Sequence, residues 1–450
     1  MLAFPRLFTP GQIGSLMIKN RLIMPSMFTN LASVEGEVTK QMIDYYAARA
    51  KGGVGLIVVE VASIDYPTSK QGHNELRVDD PRFMAGLNDL VEAIHAHQAR
   101  AFVQLFHAGR QTSPIITHGQ QPVAPSPIAC RVIGATPREL SIEEIKQLEQ
   151  KFITGAIHAK AAGFDGIELH AAHGYLLSGF LSPFSNKRQD LYGGSLENRL
   201  RFLLEIIEGI RQAVEEMPLS VRFNASDFLT GGIELTEGIE IAKRLEQAGV
   251  NALSISSGMY ESGLTSIESI SYSEGWRVYL AEAVKKAVNI PVITGGVIRS
   301  PEYAETVLRE EKADFVFIGR GLLADPDWPN KAKAGRVKDI RPCVSCNTCI
   351  NRDFMGLRIR CAVNPYTGRE AQYKPRKTEN PKSICIVGAG PAGMQAAIAL
   401  ARKGHRVELI EKSDCLGGLV NVAQLPTHKQ RLGLLKDYLV REVAKLPIQV

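Results

Sequence analysis

Residues 163–183, GFDGIELHAAHGYLLSGFLSP, begin with a short apolar run and continue into two histidines and a tyrosine. The run is almost continuously apolar, which is typical of a β-strand that is covered on both faces. Seven further runs of this kind occur before residue 321. The eight predicted strands are RLIMPSM (21–27), GLIVVEVA (55–62), AFVQLFH (101–107), GFDGIELHA (163–171), LSVRFNA (219–225), ALSISSG (252–258), PVITGGV (291–297) and DFVFIGR (314–320).

Amphipathic segments with helix-start signals lie between these runs. SIEEIKQLEQKFITGAIHAKAA begins with Ser141 and Glu144 in a capping-box pattern, and SPEYAETVLRE places a proline at the first helical position. Eight strand–helix alternations predict an α/β protein with an N-terminal (β/α)8 TIM barrel over residues 1–336. A doubly wound parallel sheet is the alternative, but it would not normally need eight units before its first dinucleotide signature.

The composition is that of an ordinary globular protein. Of the 450 residues, 45% are hydrophobic and 22% are charged, so the chain can bury a large core. The net charge of +6 is spread over 53 basic and 47 acidic residues without a long basic block, which argues against nucleic-acid binding. We find neither a signal-peptide pattern nor an apolar run of about 18 residues, so a cytoplasmic protein without a membrane span is expected.

Four of the seven cysteines stand close together in CVSCNTCINRDFMGLRIRC. They are Cys343, Cys346, Cys349 and Cys361. Three thiolates on one tight loop with a fourth nearby suit a [4Fe–4S] cluster, whereas a structural zinc site, the alternative, more often has two separated pairs of ligands. We therefore expect an iron–sulfur segment over residues 337–366, with reduced thiols in a cytoplasmic protein.

A glycine-rich turn marks a second domain, predicted over residues 383–450 and joined by a polar linker over 367–382. The turn follows the predicted strand SICIV and precedes a predicted helix, as in G-x-G-x-x-G dinucleotide sites. Its three glycines are Gly388, Gly390 and Gly393. Glu411 follows at about the distance where a carboxylate binds a ribose hydroxyl. We expect a dinucleotide fold of which only about one nucleotide-binding half is present.

Polar residues and glycines stand near the predicted strand ends, where active sites form in barrels. Gln104 lies in the third strand, and Arg222 lies in the fifth among apolar residues, where an unpaired cation would be costly. The ends of strands seven and eight carry Gly295, Gly296, Gly319 and Arg320. This set fits FMN, with its phosphate on the glycines and Arg320, its pyrimidine edge on Gln104, and Arg222 stabilising the reduced ring. A salt bridge from Arg222 to a barrel carboxylate is the structural alternative.

The side chains that end the opening stretch are His170, His173 and Tyr175. Residues three apart on a straight strand point to opposite faces, so the two imidazoles converge only if the strand ends between them. The rim of a barrel provides such an end. A metal site lacks a third ligand of suitable spacing, and core packing explains one histidine better than two with a tyrosine. We interpret the three residues as catalytic.

The sequence resembles the Old Yellow Enzyme family of NADH:flavin oxidoreductases over essentially its whole length. The resemblance lies in KNRLIMPSM, VQLFHAGR, HAAHGYLLSGFLSPFSNKRQDLYGGSLENRLRF, FIGRGLLADP and the four-cysteine segment. These motifs are similar to those of the iron–sulfur branch that includes 2,4-dienoyl-CoA reductase, 2-enoate reductase and trimethylamine dehydrogenase. The family's flavin-contacting positions match Pro25, Ser26, Met27, Ala62, Gln104, Arg222, Gly319 and Arg320.

The resemblance also implies a reaction. His170 and His173 match the pair that bonds the substrate carbonyl, and Tyr175 matches the proton donor. The cysteines match cluster ligands, and GAGPAG matches the start of an FAD-binding domain. The implied activity is reduction of the C=C bond of a small unsaturated carbonyl compound by FMN, with electrons from NAD(P)H through FAD and [4Fe–4S].

Two other functions stay open at this point. An amine dehydrogenase of the trimethylamine type would hold a cation in an aromatic bowl, but VEVAS (59–63) and Asp353 stand where aromatic residues would be wanted. An electron-transfer module would pass electrons to a carrier protein. A homo-oligomer or an electron-carrier partner is therefore expected besides the small-molecule substrate.

Overall fold

A closed ring of eight parallel strands forms the centre of the computed structural model, which describes residues 3–373 and 376–450. Each strand pairs with the next along the chain, and the eighth pairs with the first. The predicted (β/α)8 barrel is confirmed, because each predicted run overlaps one strand of the ring. The strands are β1 (Leu22–Met24), β2 (Leu56–Ser63), β3 (Arg100–Phe106), β4 (Gly166–Ala171), β5 (Leu219–Ser226), β6 (Ala252–Ser257), β7 (Val292–Thr294) and β8 (Phe315–Phe317).

Helices follow the strands and continue beyond the barrel. The predicted capping box is present, since Ser141 Oγ accepts from the Glu144 amide at 3.2 Å and Glu144 Oε2 accepts from the Ser141 amide at 2.9 Å. The helices are α1 (Lys40–Lys51), α2 (Met84–His95), α3 (Ile142–Ala161), α4 (Leu176–Leu181), α5 (Leu196–Ala213), α6 (Leu235–Gln247), α7 (Val278–Lys285), α8 (Pro301–Arg309), α9 (Arg320–Ala324), α10 (Trp328–Lys333), α11 (Thr348–Phe354), α12 (Pro391–Arg402), α13 (Val420–Ala423) and α14 (Arg431–Ala444).

Alternate residues of the strands belong to two separate cores, as the two-residue period of a strand requires. In β2, Ile57 and Val59 pack in the large core with the helices, whereas Leu56 and Val58 pack in a smaller core inside the ring. An antiparallel hairpin, Gly11–Ile13 with Leu16–Ile18, adds its isoleucines to the inner core. The hairpin therefore closes the amino end of the barrel and leaves the carboxyl end for the site.

The C-terminal unit is a three-stranded parallel sheet with its own apolar core. Helices α12 and α14 pack against it. Its strands are β9 (Ser383–Val387), β10 (Arg406–Ile410) and β11 (Ile448–Gln449). Residues 374 and 375 of the predicted linker lie outside the described residues, and the predicted domain boundaries stay predictions.

Hydrophobic contacts join α14 to the cysteine segment. Leu432 and Leu435 pack against Val344, Val363 and Ala324. The C-terminal unit is thereby held beside the cysteines. Within 3–373 and 376–450, we find no helix with the length and apolar character needed to cross a bilayer.

Ile18→Ala should test the hairpin that closes the barrel. Ile18 is fully buried in the inner core, so truncation removes packing and leaves a cavity, at a cost of about 2–5 kcal/mol of unfolding free energy. Calorimetry should record a lower Tm. Met17→Ala is the matched control, since Met17 is 55% exposed on the same strand. Equal Tm values for the two variants would contradict the role of the hairpin.

Candidate active site

The two histidines stand where β4 ends and its following loop begins. His170 lies in β4 and is in register with Arg222 of β5. The chain turns at His173, which has a φ of +63° and forms a β-bridge with Met259. The imidazole centroids are 5.1 Å apart, and His173 Nδ1 lies 3.4 Å from His170 Nε2. The strand end thus brings the two rings together.

Hydrogen bonds constrain the protonation of the two imidazoles. The Ala172 amide donates to His170 Nδ1 at 3.3 Å, so the neutral His170 ring carries its proton on Nε2, which lies 3.4 Å from His173 Nδ1. His173 Nε2 shares a hydrogen bond of 2.6 Å with the Ser256 hydroxyl, a group that can donate or accept. Burial, and then the charge of Arg222, lower the pKa of both histidines well below 6.5. Both rings are therefore neutral at pH 7.

Tyr175 presents its hydroxyl within a chain of three polar side chains. Its ring packs edge-on against Phe106 and His170, with centroid distances of 4.7 and 4.9 Å. The hydroxyl donates to Gln71 Oε1 at 2.6 Å, and the Tyr260 hydroxyl shares a hydrogen bond with it at 2.8 Å. Burial, and then Tyr260, raise the pKa of Tyr175 well above 10. The phenol therefore keeps its proton at neutral pH.

Sequence reasoning assigned no role to Tyr260 or Gln71. Tyr260 comes from the loop after β6 and Gln71 from the loop after β2. Glu75 holds the loop that carries Gln71, because its Oε2 accepts a hydrogen bond from the Gln71 backbone N–H at 2.8 Å. The resemblance places Tyr260 where the dienoyl-CoA reductase branch has a histidine, but only the closure of the barrel brings the two loops to Tyr175.

A buried charged layer lies beneath the histidines. Gln104 Nε2 donates to Glu168 Oε1 at 2.6 Å, and Glu168 is the carboxylate that most favours the charge on Arg222. The Arg222 guanidinium lies 5.3 Å from the Phe317 ring centroid. Among the described residues, its Nε has no hydrogen-bond partner. Arg222 therefore keeps an N–H available for a ligand beside its carboxylate neighbour.

The glycines at the ends of β7 and β8 let neighbouring side chains approach the backbone closely. Gly296 has a φ of +98°, and a Cβ there would lie 2.4 Å from Arg277 Nε. A Cβ on Gly319 would lie 3.3 Å from Met27 Sδ. Arg320 follows at the start of α9. Glycine amides beside an arginine are the groups that bind phosphate in this fold.

One cavity of about 520 Å³ joins these groups at the carboxyl end of the barrel. The predicted residues that line it are Pro25, Ser26, Met27, Gln104, His170, His173, Tyr175, Arg222, Gly295, Gly296, Gly319 and Arg320. Ser26 Oγ is also buried without a partner among the described residues. A ligand that offers hydrogen-bonding groups and a phosphate, such as FMN, fits this set of donors.

Ala62 does not line this cavity, although it was predicted to contact the flavin. Its side chain packs in the core with the helices, and its neighbour Val61 lines the cavity instead. The register between β2 and β3 shifts between Val59 and Val61. Such a bulge inserts one residue and exchanges the faces of those that follow.

The four cysteines line one small cavity, and Cys343 and Cys349 also line the large one. Within the described residues, no three His, Cys, Asp or Glu side chains are grouped to hold a single metal ion. A zinc ion would draw its thiolates to about 2.3 Å, whereas a cluster of four irons spreads them around a larger body. Burial and the other thiols raise the pKa of Cys349 to about 12. The four thiols share one cavity, so they are the candidate ligands of a metal centre.

The helix that contains the third cysteine forms a wall of the large cavity. α11 brings Asp353 and Phe354 to the cavity, and the Phe354 ring lies 5.5 Å from the Tyr260 ring. Burial raises the pKa of Asp353 to about 7. Its charge also raises the pKa of Tyr175 and Tyr260. Sequence reasoning treated Asp353 only as a missing aromatic residue.

The glycine-rich turn lies in the C-terminal unit. A Cβ on Gly388 or Gly390 would meet no atom within 4 Å, whereas one on Gly393 would lie 1.9 Å from the Gly388 carbonyl oxygen. The turn is therefore open on one side, while α12 packs closely on β9. Glu411 Oε2 accepts from the Ala389 amide at 2.9 Å, and such bonds lower the pKa of Glu411 to about 2.

The fold and the site define a flavin-dependent oxidoreductase. The chain belongs to the NADH:flavin oxidoreductase / NADH oxidase family, whose model matches residues 6–339. A second model, FAD dependent oxidoreductase, matches residues 383–437.

Similar proteins extend along the whole chain. An NADH oxidase of Thermoanaerobacter brockii is 53% identical over 100% of this chain and 70% of its own length. A cinnamate reductase of Clostridium sporogenes is 38% identical over 94% of this chain and 67% of its own length. The solved complex of 2-naphthoyl-CoA reductase with 2-naphthoyl-CoA superposes with a TM-score of 0.95 at 33% identity, over 99% of this chain and 70% of that one.

Asp353→Asn should stabilise the protein in a pH-dependent way. The folded protein raises the pKa of Asp353 from 3.8 to about 7, so ionisation favours the unfolded chain. The gain in Tm over wild type should grow as the pH rises from about 4 to about 7 and stay constant above that. Thermal unfolding at pH 5, 6, 7 and 8 measures it. A gain that is independent of pH would contradict the buried carboxyl.

Proposed function

We propose that this protein reduces the C=C bond of an α,β-unsaturated carbonyl compound with FMN bound in the mouth of the barrel. The observation that carries the proposal is the Tyr175 hydroxyl, which lies beside two neutral imidazoles at one cavity. The printed names of two similar proteins, cinnamate reductase and 2-naphthoyl-CoA reductase, support a conjugated substrate. The substrate class is an enone, an enoate or an enoyl thioester.

The FMN would rest on the residues that line the cavity below the histidines. Gly295, Gly296 and Arg320 would bind its phosphate, and Gln104 and Arg222 would face its ring system. Pro25, Ser26, Met27 and Gly319 would pack beside it. When bound, FMN supplies the hydride that reaches the β-carbon of the alkene. Arg222 favours that chemistry because its cation stabilises negative charge in a site of low dielectric.

His170 and His173 polarise the substrate carbonyl. Because both imidazoles are neutral, they act as hydrogen-bond donors rather than as cations. Their mutual contact of 3.4 Å is longer than an ordinary hydrogen bond, so a carbonyl oxygen can compete for the His170 proton. Donors aimed at this oxygen stabilise the negative charge that it gains as the alkene is reduced.

Tyr175 delivers the proton to the α-carbon. Its raised pKa keeps the phenol protonated until the α-carbon of the substrate accepts the proton. The Tyr260 hydroxyl lies 2.8 Å from the Tyr175 oxygen and would donate a hydrogen bond to the phenolate that remains.

The cysteines and the glycine-rich turn would connect this site to NAD(P)H. Cys343, Cys346, Cys349 and Cys361 would hold a [4Fe–4S] cluster, and the turn at Gly388 would receive the pyrophosphate of FAD. A cluster beside the flavin cavity suits one-electron transfer. The chain spans 70% of the length of the similar NADH oxidase, so the activity of the whole protein is part of this proposal.

Anaerobic mixing separates this function from the two alternatives. The protein is reduced with NAD(P)H and mixed with cinnamate, cinnamaldehyde or 2-cyclohexenone, and the oxidised protein is mixed with trimethylamine. Reoxidation of the flavin by an alkene supports the reductase. Reduction of the flavin by the amine supports the dehydrogenase, and rapid oxidation by a carrier protein alone supports the electron-transfer module.

Tyr175→Phe should slow reoxidation of the reduced flavin by an alkene by about 10²–10⁴-fold. Reduction by NAD(P)H should be unchanged, because the phenol supplies a proton only to the carbon substrate. Stopped-flow absorbance of the flavin measures both half-reactions. Tyr279→Phe is the control, since Tyr279 is exposed on α7. Wild-type reoxidation by Tyr175→Phe would remove the residue from the mechanism.

Cys349→Ser should lose most of the iron of the purified protein and keep its flavin. Cys349 lines both cavities, and a serine is a poor ligand for a [4Fe–4S] cluster. Iron analysis with the flavin absorbance spectrum measures both quantities. Cys385→Ser is the matched control, because Cys385 is exposed in β9 of the C-terminal unit. Full iron content in Cys349→Ser would refute the ligand set.

A further inference from the structure

An arginine of the C-terminal unit reaches the cysteine segment. Arg431 is the first residue of α14, and its Nη2 donates to the Cys343 carbonyl oxygen at 3.0 Å. Its Nε is buried without a partner among the described residues. The guanidinium also borders the large cavity. A cation of one unit therefore touches the backbone of a cysteine in the other.

Arg431 belongs to a group of three guanidinium groups around the cysteine segment. Arg299 donates to the Ser345 hydroxyl from Nε and Nη2, at 3.3 and 3.2 Å. Arg320 donates to Asn347 Oδ1. Burial, and then the charges of Arg431 and Arg320, lower the pKa of Arg299 to about 10. Like charges gathered in this way are costly to bury unless negative groups neutralise them.

Two carboxylates neutralise part of this positive charge. Glu268 lies 3.3 Å from Arg320 Nη2. Glu274 accepts from the Arg299 and Ser300 amides and favours the charge on Arg431. The phosphate of FMN would neutralise the charge of Arg320 at the ends of β7 and β8. Arg431 differs from the other two arginines because its direct contact is with a cysteine residue.

The packing around Arg431 holds it in this place. Leu432, the next residue, and Leu435 pack against Val344 and Val363 of the cysteine segment. Arg431 is thus anchored by apolar contacts on its own helix rather than by its charge alone. Its guanidinium is present at Cys343 only while the two units are docked.

We propose that Arg431 is a positioning residue that raises the reduction potential of the cluster held by the four cysteines. The inference rests on the proposed cluster and deepens the proposed electron path. One electron from the reduced flavin of the C-terminal unit adds one negative charge to the cluster, and no bond forms or breaks. A cation at a ligating residue favours that added charge, since hydrogen bonds and charges around a cluster tune its potential. Docking of the C-terminal unit thereby favours entry of the electron.

The test compares Arg431→Gln and Arg431→Lys with wild type in the full chain, with flavin and iron bound. Arg441→Gln is the matched control, because Arg441 lies on the same helix and donates to the Lys338 carbonyl oxygen at 3.1 Å rather than to a cysteine residue. An EPR-monitored redox titration measures the midpoint potential of the cluster. Iron content and the dissociation constant of FMN are measured on the same samples.

We expect the potential to shift to a more negative value in Arg431→Gln, to shift less in Arg431→Lys, which keeps the charge, and to stay at the wild-type value in Arg441→Gln. An unchanged potential in Arg431→Gln overturns the proposal. An equal shift in Arg441→Gln also overturns it, because loss of docking then explains the effect. Weaker FMN binding at an unchanged potential assigns Arg431 to the phosphate site instead.

Two further outcomes remain decisive. If Arg431→Gln fails to retain iron, Arg431→Met replaces it under the same criteria, since its side chain keeps the aliphatic packing. Wild-type protein without iron refutes this inference together with the proposed cluster. Reoxidation of its flavin by an alkene would still support the proposed reductase, so the two failures are distinguishable.

Discussion

Closure of eight parallel strands into a ring is the constraint on which the rest of the structure depends. A closed parallel ring has no free edge, and all of its strands end on the same side. The hairpin that contributes Ile13 and Ile18 fills the opposite side with apolar contacts. Polar residues and glycines in or just after β3, β4, β5, β7 and β8 therefore meet around a single cavity.

The low dielectric of that cavity decides the protonation of its side chains. Burial and the Arg222 cation keep His170 and His173 neutral, and burial keeps the Tyr175 phenol protonated. The same groups in water would titrate nearer to neutral pH or exchange their protons with solvent. Packing thus prepares two neutral donors and one acid before any substrate arrives. Arg222 has a second effect, because the charge that suppresses the imidazolium forms also attracts an anionic ring.

The cysteine segment connects the two units in structure and, in our proposal, in function. Asp353 and Phe354 of its helix α11 line the barrel cavity. The Cys343 carbonyl oxygen in its loop accepts a hydrogen bond from Arg431 of the C-terminal unit. One short segment thus contacts both the expected alkene site and the glycine-rich unit. Such contacts are a physical reason for electron transfer and alkene reduction to reside on one chain.

The sequence by itself determined the elements that local patterns encode. Apolar runs predicted the eight strands, and Ser141 with Glu144 predicted a helix start. The spacing of cysteines and of glycines along the sequence predicted the four-cysteine set and the glycine-rich turn. The strand end after His170 was also readable, because a histidine pair three residues apart needs a turn to converge.

Only the tertiary structure decided which side chains meet. Tyr260 reaches Tyr175 and Arg431 reaches Cys343 across 85 and 88 positions of the chain, and no local pattern encodes such contacts. The bulge between Val59 and Val61 turned Ala62 away from the cavity, because one inserted residue exchanges the faces of a strand. Periodicity and spacing are local properties of a chain, whereas loop convergence and strand register follow from the closure of the whole ring.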